Sequence, residues 1–137
     1  MYIADGKTNG PAFSWPDGKR IAVMVTFDYD AEFLRISRAK SKGTSIGFTD
    51  FSRGQYGPHE GLARCLDMLD TMNIKSTFFV PGAVIETYRD TVEEIHRHGH
   101  ELACHGYRHE SDPELSRDEM IKILDKSEAL LAEITGK

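Results

Sequence analysis

The chain has 137 residues, 39% hydrophobic and 28% charged, which suits one folded domain with a substantial core. Its net charge of −5 argues against nucleic acid or an anionic membrane surface as the main partner. No apolar run is long enough for a transmembrane helix, and residues 1–20 lack the apolar core of a secretory signal. With only two cysteines, a reducing, cytoplasmic location is expected.

The first half of the chain predicts an arm, a strand and a long loop. Residues 1–19 carry several Gly and Pro residues and predict an irregular N-terminal arm. The apolar, β-branched run 21–27 predicts a strand buried on both faces, as in a parallel sheet. Asp28 and Asp30 follow this run directly. Residues 33–56 are rich in Ser, Gly, Lys and Arg without a steady period, which predicts a long loop.

The remaining segments alternate between helical and strand patterns. Apolar residues recur at helical spacing over 58–72 and again over 85–98, with the buried strand 77–80 between them. A third strand is predicted at 101–104, and a third helix over 116–136 between a capping box and a terminal glycine. The order β-α-β-α-β-α predicts an α/β fold with a parallel sheet covered by helices.

Four polar side chains follow the ends of the predicted strands. Asp28 and Asp30 follow the first strand, and His105 and His109 follow the third. Because parallel strands end at the same edge of a sheet, we expect these side chains to lie together. Two imidazoles and one carboxylate form a common ligand set for Zn²⁺, with one position open for water. Asp28, two residues before Asp30, is placed to accept a proton from that water, which indicates metal-assisted hydrolysis of an amide or ester.

Each of these patterns also has a simpler interpretation. Asp-Tyr-Asp is common in turns, and His-x-x-x-His arises by chance; their joint occurrence at the strand ends favours a metal site. His96, His98 and His100 span a helix end and a strand start, so they predict local structure. Cys104 is expected to turn away from the edge into the core. Glu110 is compatible with either a contact to a histidine or a solvated charge.

Three stretches carry a family resemblance: residues 26–32 (TFDYDAE), 76–82 (STFFVPG) and 99–110 (GHELACHGYRHE). Together they resemble the NodB-homology domain of polysaccharide deacetylases, carbohydrate esterase family 4. The branch with allantoinase-like and peptidoglycan-deacetylase-like proteins is the most similar. The resemblance implies a distorted (β/α) barrel and a divalent metal, usually zinc. By motif, Asp30, His105 and His109 match the metal ligands, and Asp28 matches the catalytic base.

The sequence also departs from the wider family pattern. Tyr29 separates two aspartates that are usually adjacent, and Gly106 replaces a usual Ser or Thr; both departures are typical of the allantoinase-like branch. An Arg-Pro motif and a late histidine that acts as general acid have no counterpart here. We therefore expect residues 20–137 to be the N-terminal half of the domain. It would be either a fragment or completed by a second copy or another chain.

The expected function is a metal-dependent hydrolase of non-peptide carbon–nitrogen bonds. Its substrate would be an N-acetylated amino sugar or a small cyclic amide, and no nucleic acid or membrane partner is expected. A catalytically incomplete metal-binding or oligomerisation module, derived from such an enzyme, is the alternative. A third possibility is an α/β domain whose histidines only pack.

Overall fold

The computed structural model describes residues 15–110 and 115–137. Residues 1–14, most of the predicted N-terminal arm, lie outside the described residues. The elements in chain order are a 3₁₀ turn (Pro16–Gly18), β1 (Thr26–Asp28), α1 (Phe33–Ser41), α2 (Phe48–Tyr56), a π-helical turn (Gly57–Gly61), α3 (Leu62–Thr71), β2 (Thr77–Val80), α4 (Gly82–Thr87), α5 (Arg89–Arg97), β3 (Glu101–Cys104) and α6 (Arg117–Thr135).

The strands of the described part form one parallel sheet in the order β1-β2-β3. Thr26 pairs with Thr77, which in turn pairs with Glu101, so the three strands run in register. Their carboxyl ends therefore lie at one edge of the sheet, and helices connect each strand to the next. The predicted α/β class with parallel β/α units is confirmed.

The first strand is shorter than the sequence predicts. Only Thr26–Asp28 pairs with β2, whereas Ile21, Val23 and Met24 are 74%, 79% and 87% exposed. The prediction of a strand buried on both faces over 21–27 is therefore wrong: its first part is no strand, and in β1 Thr26 is exposed and Phe27 only partly buried. The physical reason is pairing: β2 begins opposite Thr26, so the preceding apolar residues have no strand beside them.

The predicted loop over 33–56 is wrong, because this segment forms α1 and α2. Helix α1 buries Phe33 and part of Ile36, and α2 buries Gly54. Few positions of these helices are inward-facing, and glycine takes one of them. Each helix has only nine residues, and the turn between them contains Gly43 and Gly47, so no single helical period runs through 33–56.

The other helices differ from prediction mainly where they break. Helix α3 ends at Thr71, and Asn73 follows with a left-handed φ of +51°, a conformation common just after a helix end. The helix predicted over 85–98 is two helices, α4 and α5, separated at Tyr88. Tyr88 leaves the helical conformation, and its hydroxyl donates to the buried carboxylate of Glu32 at 2.9 Å. A side-chain partner 56 residues away is invisible in local periodicity.

Helix α6 begins and ends as predicted. The Ser116 hydroxyl accepts from the Glu119 N–H and the Glu119 carboxylate accepts from the Ser116 N–H, which completes the capping box. Gly136 ends the helix in the left-handed conformation. The apolar Leu124 is 41% exposed, whereas the polar Ser127 is completely buried. None of the helices in the described part of the chain has the length and apolar character that crossing a bilayer requires.

The core lies between the sheet and the helices that pack against it. Its buried apolar members are Tyr29, Phe33, Leu62, Leu66, Leu69, Phe78, Val80, Ala83, Val84, Ile85, Val92 and Ile95. Phe27 and Phe78 stack across β1 and β2 with ring centroids 4.9 Å apart. The packing fixes the strand ends relative to the helices, and so fixes the side chains that follow each strand.

Gly54 should be required for the packing of α2 against the start of α1. A Cβ at this position would lie 2.4 Å from the Cα of Glu32, a backbone atom that cannot rotate away. We expect Gly54→Ala to lower the free energy of unfolding by about 1–3 kcal/mol, measured by urea denaturation. Gly57→Ala is the control: a Cβ there meets nothing within 4 Å and the backbone is helical, so stability should stay the same or rise by up to about 1 kcal/mol. Equal stabilities would contradict the close approach.

Candidate metal centre

Three side chains from separate parts of the chain converge at the carboxyl edge of the sheet. Asp30 follows β1, His105 follows β3, and His109 lies four residues further on. One ligand atom from each lies within 4.8 Å of the other two. Nε2 of His105 is 3.5 Å from Oδ1 of Asp30, and Nε2 of His109 is 3.8 Å from Oδ2. The structure therefore brings together the three residues that the sequence singled out as ligands.

The donor set fits a divalent metal ion. Oδ1 of Asp30 and Nε2 of His105 are buried and have no hydrogen-bond partner among the described residues. Buried polar atoms are normally paired, so two such atoms facing each other indicate a missing shared partner. Tetrahedral zinc ligands at about 2.1 Å from the ion stand about 3.4 Å apart, close to the two shorter distances here. Asp30, His105 and His109 would therefore supply the three protein ligands of such an ion.

Burial sets the electrostatics of Asp30. Its side chain is only 12% exposed, and this burial raises the pKa of its carboxyl group. The charges of His109, His105 and Arg38 act in the opposite direction, and that of Asp28 adds to the rise. A nearby cation stabilises a desolvated carboxylate more strongly than a solvated one.

The loop from His105 to Glu110 is anchored to three helices. The carbonyl of Gly106 accepts from the Gly82 N–H of α4 at 3.0 Å, and the Ser127 hydroxyl of α6 lies 2.8 Å from it. The hydroxyl of Ser37, on α1, donates to the carbonyl of His109. His109 itself has a φ of +61°, an uncommon conformation for a residue with a side chain. The anchors hold a strained backbone that orients the second imidazole.

Glu110 accepts hydrogen bonds from backbone groups of its own loop. This contact decides between the two roles that the sequence left open for Glu110, a partner of a histidine or a solvated charge. Its carboxylate accepts from the Tyr107 N–H at 3.1 Å and from the Arg108 N–H at 2.9 Å. Glu110 is therefore neither a freely solvated charge nor a hydrogen-bond partner of an imidazole among the described contacts. Gly106 has a φ of +67°, and a Cβ there would lie 3.3 Å from the Glu110 carboxylate. The turn thus explains why glycine stands after the first histidine.

Asp28 lies beside the three converging residues but is not one of them. It ends β1 and is exposed, and it shares a cleft with Asp30. This agrees with the expectation that residues two apart in extended backbone face the same way. A position next to the convergence point, without a bond to it, is compatible with the predicted role of base.

The other histidines and Cys104 lie outside the convergence point. Nδ1 of His98 lies 2.7 Å from the Asp70 carboxylate, His96 is exposed, and His100 is buried with Nδ1 accepting from the Ser76 N–H. Their assignment to local structure is consistent with these contacts. Cys104 is only partly buried and borders a second cleft together with His105 and His109, so the expectation that it turns away into the core is wrong. It is not among the ligand atoms that converge in the described residues.

Comparison with known proteins places the chain in a family. The sequence model of the family described as polysaccharide deacetylase matches residues 16–137. The chain belongs to the polysaccharide deacetylase family. This finding confirms the resemblance carried by the three sequence stretches, and the members of this family are deacetylase enzymes.

Individual polysaccharide deacetylase relatives extend this result. The chain is 34% identical over 119 residues to a peptidoglycan deacetylase of Helicobacter pylori, covering 87% of this chain and 40% of that protein. It is 32% identical over 121 residues to a peptidoglycan deacetylase-like protein of Gibberella zeae, covering 87% and 35%. The solved structure of a polysaccharide deacetylase homologue from Mycobacterium smegmatis is 39% identical, with a TM-score of 0.80 over 93% of this chain and 45% of that one. The chain thus spans less than half the length of these relatives, and its β/α units correspond to part of their barrel.

Several residues that shape the site were not singled out from the sequence. Ser127 sits within an apolar helix face, and Ser37, Arg35, Arg38 and Arg53 fall in the segment predicted as a loop. A serine inside an otherwise apolar face was one visible indication, since a buried hydroxyl needs a partner. The remaining contacts depend on how α1 and α2 pack, which residue types alone do not specify.

The buried His100 should make stability depend on pH. Desolvation lowers the pKa of this imidazole, and the charge of Lys75 adds to the effect. Below the ordinary value of about 6.5 the unfolded chain then binds more protons than the folded chain, so the free energy of unfolding falls as pH is lowered. We expect this loss of stability to be smaller in His100→Asn, whose amide oxygen replaces the Nδ1 acceptor, than in the parent. Urea denaturation at pH values from about 5 to about 8, on either side of the ordinary pKa, measures the difference. The exposed control His96→Asn should retain the parent profile; an unchanged slope in His100→Asn would contradict the prediction.

Proposed function

We propose that this chain carries the metal-binding part of a divalent-metal-dependent deacetylase that cleaves the amide of an N-acetylated amino sugar. The observation that supports it is the convergence of Asp30, His105 and His109 with two buried, unpaired donor atoms. The choice of substrate class follows the similarity to the peptidoglycan deacetylase of Helicobacter pylori. A small cyclic amide is the competing substrate and can be compared directly.

The chain's own residues divide the chemistry between them. Asp30, His105 and His109 would hold the ion, and Zn²⁺ suits this set of nitrogen and oxygen donors. Such an ion supplies Lewis acidity, lowering the pKa of water and polarising a carbonyl oxygen. Asp28 accepts the proton of the attacking water as general base, because its carboxylate borders the same cleft as Asp30. Of the described residues, none is proposed as the acid that protonates the leaving amine.

The activity is proposed for the whole protein, since the chain spans 35–45% of the length of its similar relatives. A catalytically incomplete metal-binding module remains the alternative. The two proposals share the metal site and differ in turnover, so metal content and acetate release have to be measured separately.

Zinc content is the first test. We expect the purified chain, incubated with excess Zn²⁺ and dialysed, to retain about one ion per chain by elemental analysis. His105→Ala and Asp30→Asn should each lower the retained zinc at least about tenfold, because either change leaves two donors of three.

The exposed His96→Ala serves as the matched control and should keep its zinc. Circular dichroism confirms that each variant is folded. A folded parent chain that retains no zinc, or zinc retention unaffected by His105→Ala, would refute the metal site.

Asp28→Asn tests the base. The variant should keep zinc, because Asp28 is outside the converging set, and should lose acetate release from N-acetylglucosamine oligomers by about 100-fold or more. Asp67→Asn, an exposed carboxylate on α3, is the control. Parental turnover in Asp28→Asn would exclude it as the base. Bound zinc with no acetate release, and no hydrolysis of a cyclic ureide, would favour the non-catalytic module.

A further inference from the structure

A cleft of about 280 Å³ beside the candidate metal centre combines two aspartates with three arginines. Asp28 and Asp30 border it from the end of β1, Arg35 and Arg38 from α1, and Arg53 from α2. The arginines therefore face the same space as the proposed base and one proposed metal ligand. A substrate placed for attack at this edge of the sheet would lie within their reach.

The basic residues are concentrated in the segment that forms α1 and α2. Residues 33–56 contain five Lys or Arg residues and a single acidic residue, Asp50, although the whole chain has a net charge of −5. The positive charge is thus local to one side of the site. Arg35 and Arg38 are one helical turn apart, so they project from the same side of α1.

Contacts within the protein leave much of this charge uncompensated. Arg35 and Arg53 share one carboxylate oxygen of Asp50, at 3.4 and 3.9 Å. Within the described residues, Arg38 makes no ion pair or side-chain hydrogen bond, and no arginine pairs directly with Asp28 or Asp30. Two long contacts to one exposed aspartate leave most guanidinium N–H groups available.

A simpler explanation for the three arginines is that they balance the charges of the nearby aspartates. That explanation holds only for the chain without its proposed ion. Three arginines then face three aspartates, counting Asp50. A divalent cation held by Asp30 would add two positive charges to the same space, and the arginines would no longer be needed to offset Asp30. The loaded site would therefore attract an anion.

We propose that Arg35, Arg38 and Arg53 form a subsite for an oxyanion on the substrate, a carboxylate or a phosphate. The preferred substrate is then an N-acetylated amino sugar with an anionic group near its amide, which would bind more tightly than its neutral counterpart. Guanidinium groups suit this role because their N–H groups form paired, charge-assisted hydrogen bonds to such anions. This inference rests on the proposed function for the placement of the amide.

Matched ligands isolate the charge. The zinc-loaded and metal-free chains are titrated by calorimetry with N-acetylmuramic acid and with its carboxamide, which has the same shape without the charge. N-acetylglucosamine 6-phosphate and N-acetylglucosamine form the second pair and distinguish phosphate from carboxylate. We expect one anionic ligand to bind at least about tenfold more tightly than its neutral counterpart, the scale of one charge-assisted hydrogen bond.

Arginine variants test whether the preference for the anionic ligand arises in the cleft. Arg38→Gln and Arg53→Gln should each reduce that preference to about threefold or less, while the neutral ligand binds as before. Arg64→Gln removes an exposed arginine of α3 that does not border the cleft, and it should keep the full preference. Thermal unfolding checks that each variant is folded.

The outcomes separate this inference from the proposed function. Equal binding of charged and neutral ligands, no binding of any of the four, or a preference unaffected by Arg38→Gln and Arg53→Gln would overturn the oxyanion subsite. Zinc binding and acetate release could still be intact in those cases. A zinc-loaded chain without the arginine-dependent preference would refute the subsite alone, whereas a chain that retains no zinc would refute the metal site.

Discussion

The carboxylate of Asp30 is the group on which the arrangement of the site depends. It is largely buried, one of its oxygens has no hydrogen-bond partner in the described residues, and two imidazole nitrogens lie 3.5 and 3.8 Å away. Removing a carboxylate from water is unfavourable unless a positive charge or donors replace the lost hydration. The folded chain thus maintains a desolvated acid next to two nitrogen donors. The metal ion that we propose would satisfy all three groups together.

The imidazoles of His105 and His109 stay beside Asp30 because the loop that carries them is restrained. A left-handed residue such as His109 costs about 1–3 kcal/mol, and hydrogen bonds from Ser37, Gly82 and Ser127 offset that cost from three helices. Glu110 adds two further acceptors inside the loop. Helix α6 therefore contributes to the site although none of its residues is a proposed ligand. Its buried Ser127 holds the carbonyl that follows His105.

Features with a local cause were predictable from the sequence. The strands at 77–80 and 101–104, the capping box at Ser116 and the glycine end at 136 depend on neighbouring residues, and all are present. Features set by distant partners were not. The run 21–27 is apolar, but pairing starts only opposite Thr77. Likewise, the helix over 85–98 breaks at Tyr88, whose hydroxyl reaches Glu32.

The same distinction applies within the site. Asp30, His105 and His109 could be placed together from the sequence, because parallel topology alone brings strand ends to one edge. The arginine cleft could not, because it exists only where α1 and α2 meet. Gly54 permits that approach, since any side chain there would collide with Glu32. The positive charge of residues 33–56 was visible in the sequence, but its place was not. The close approach of α2 that Gly54 permits brings Arg53 to the cleft that Arg35 and Arg38 border from α1.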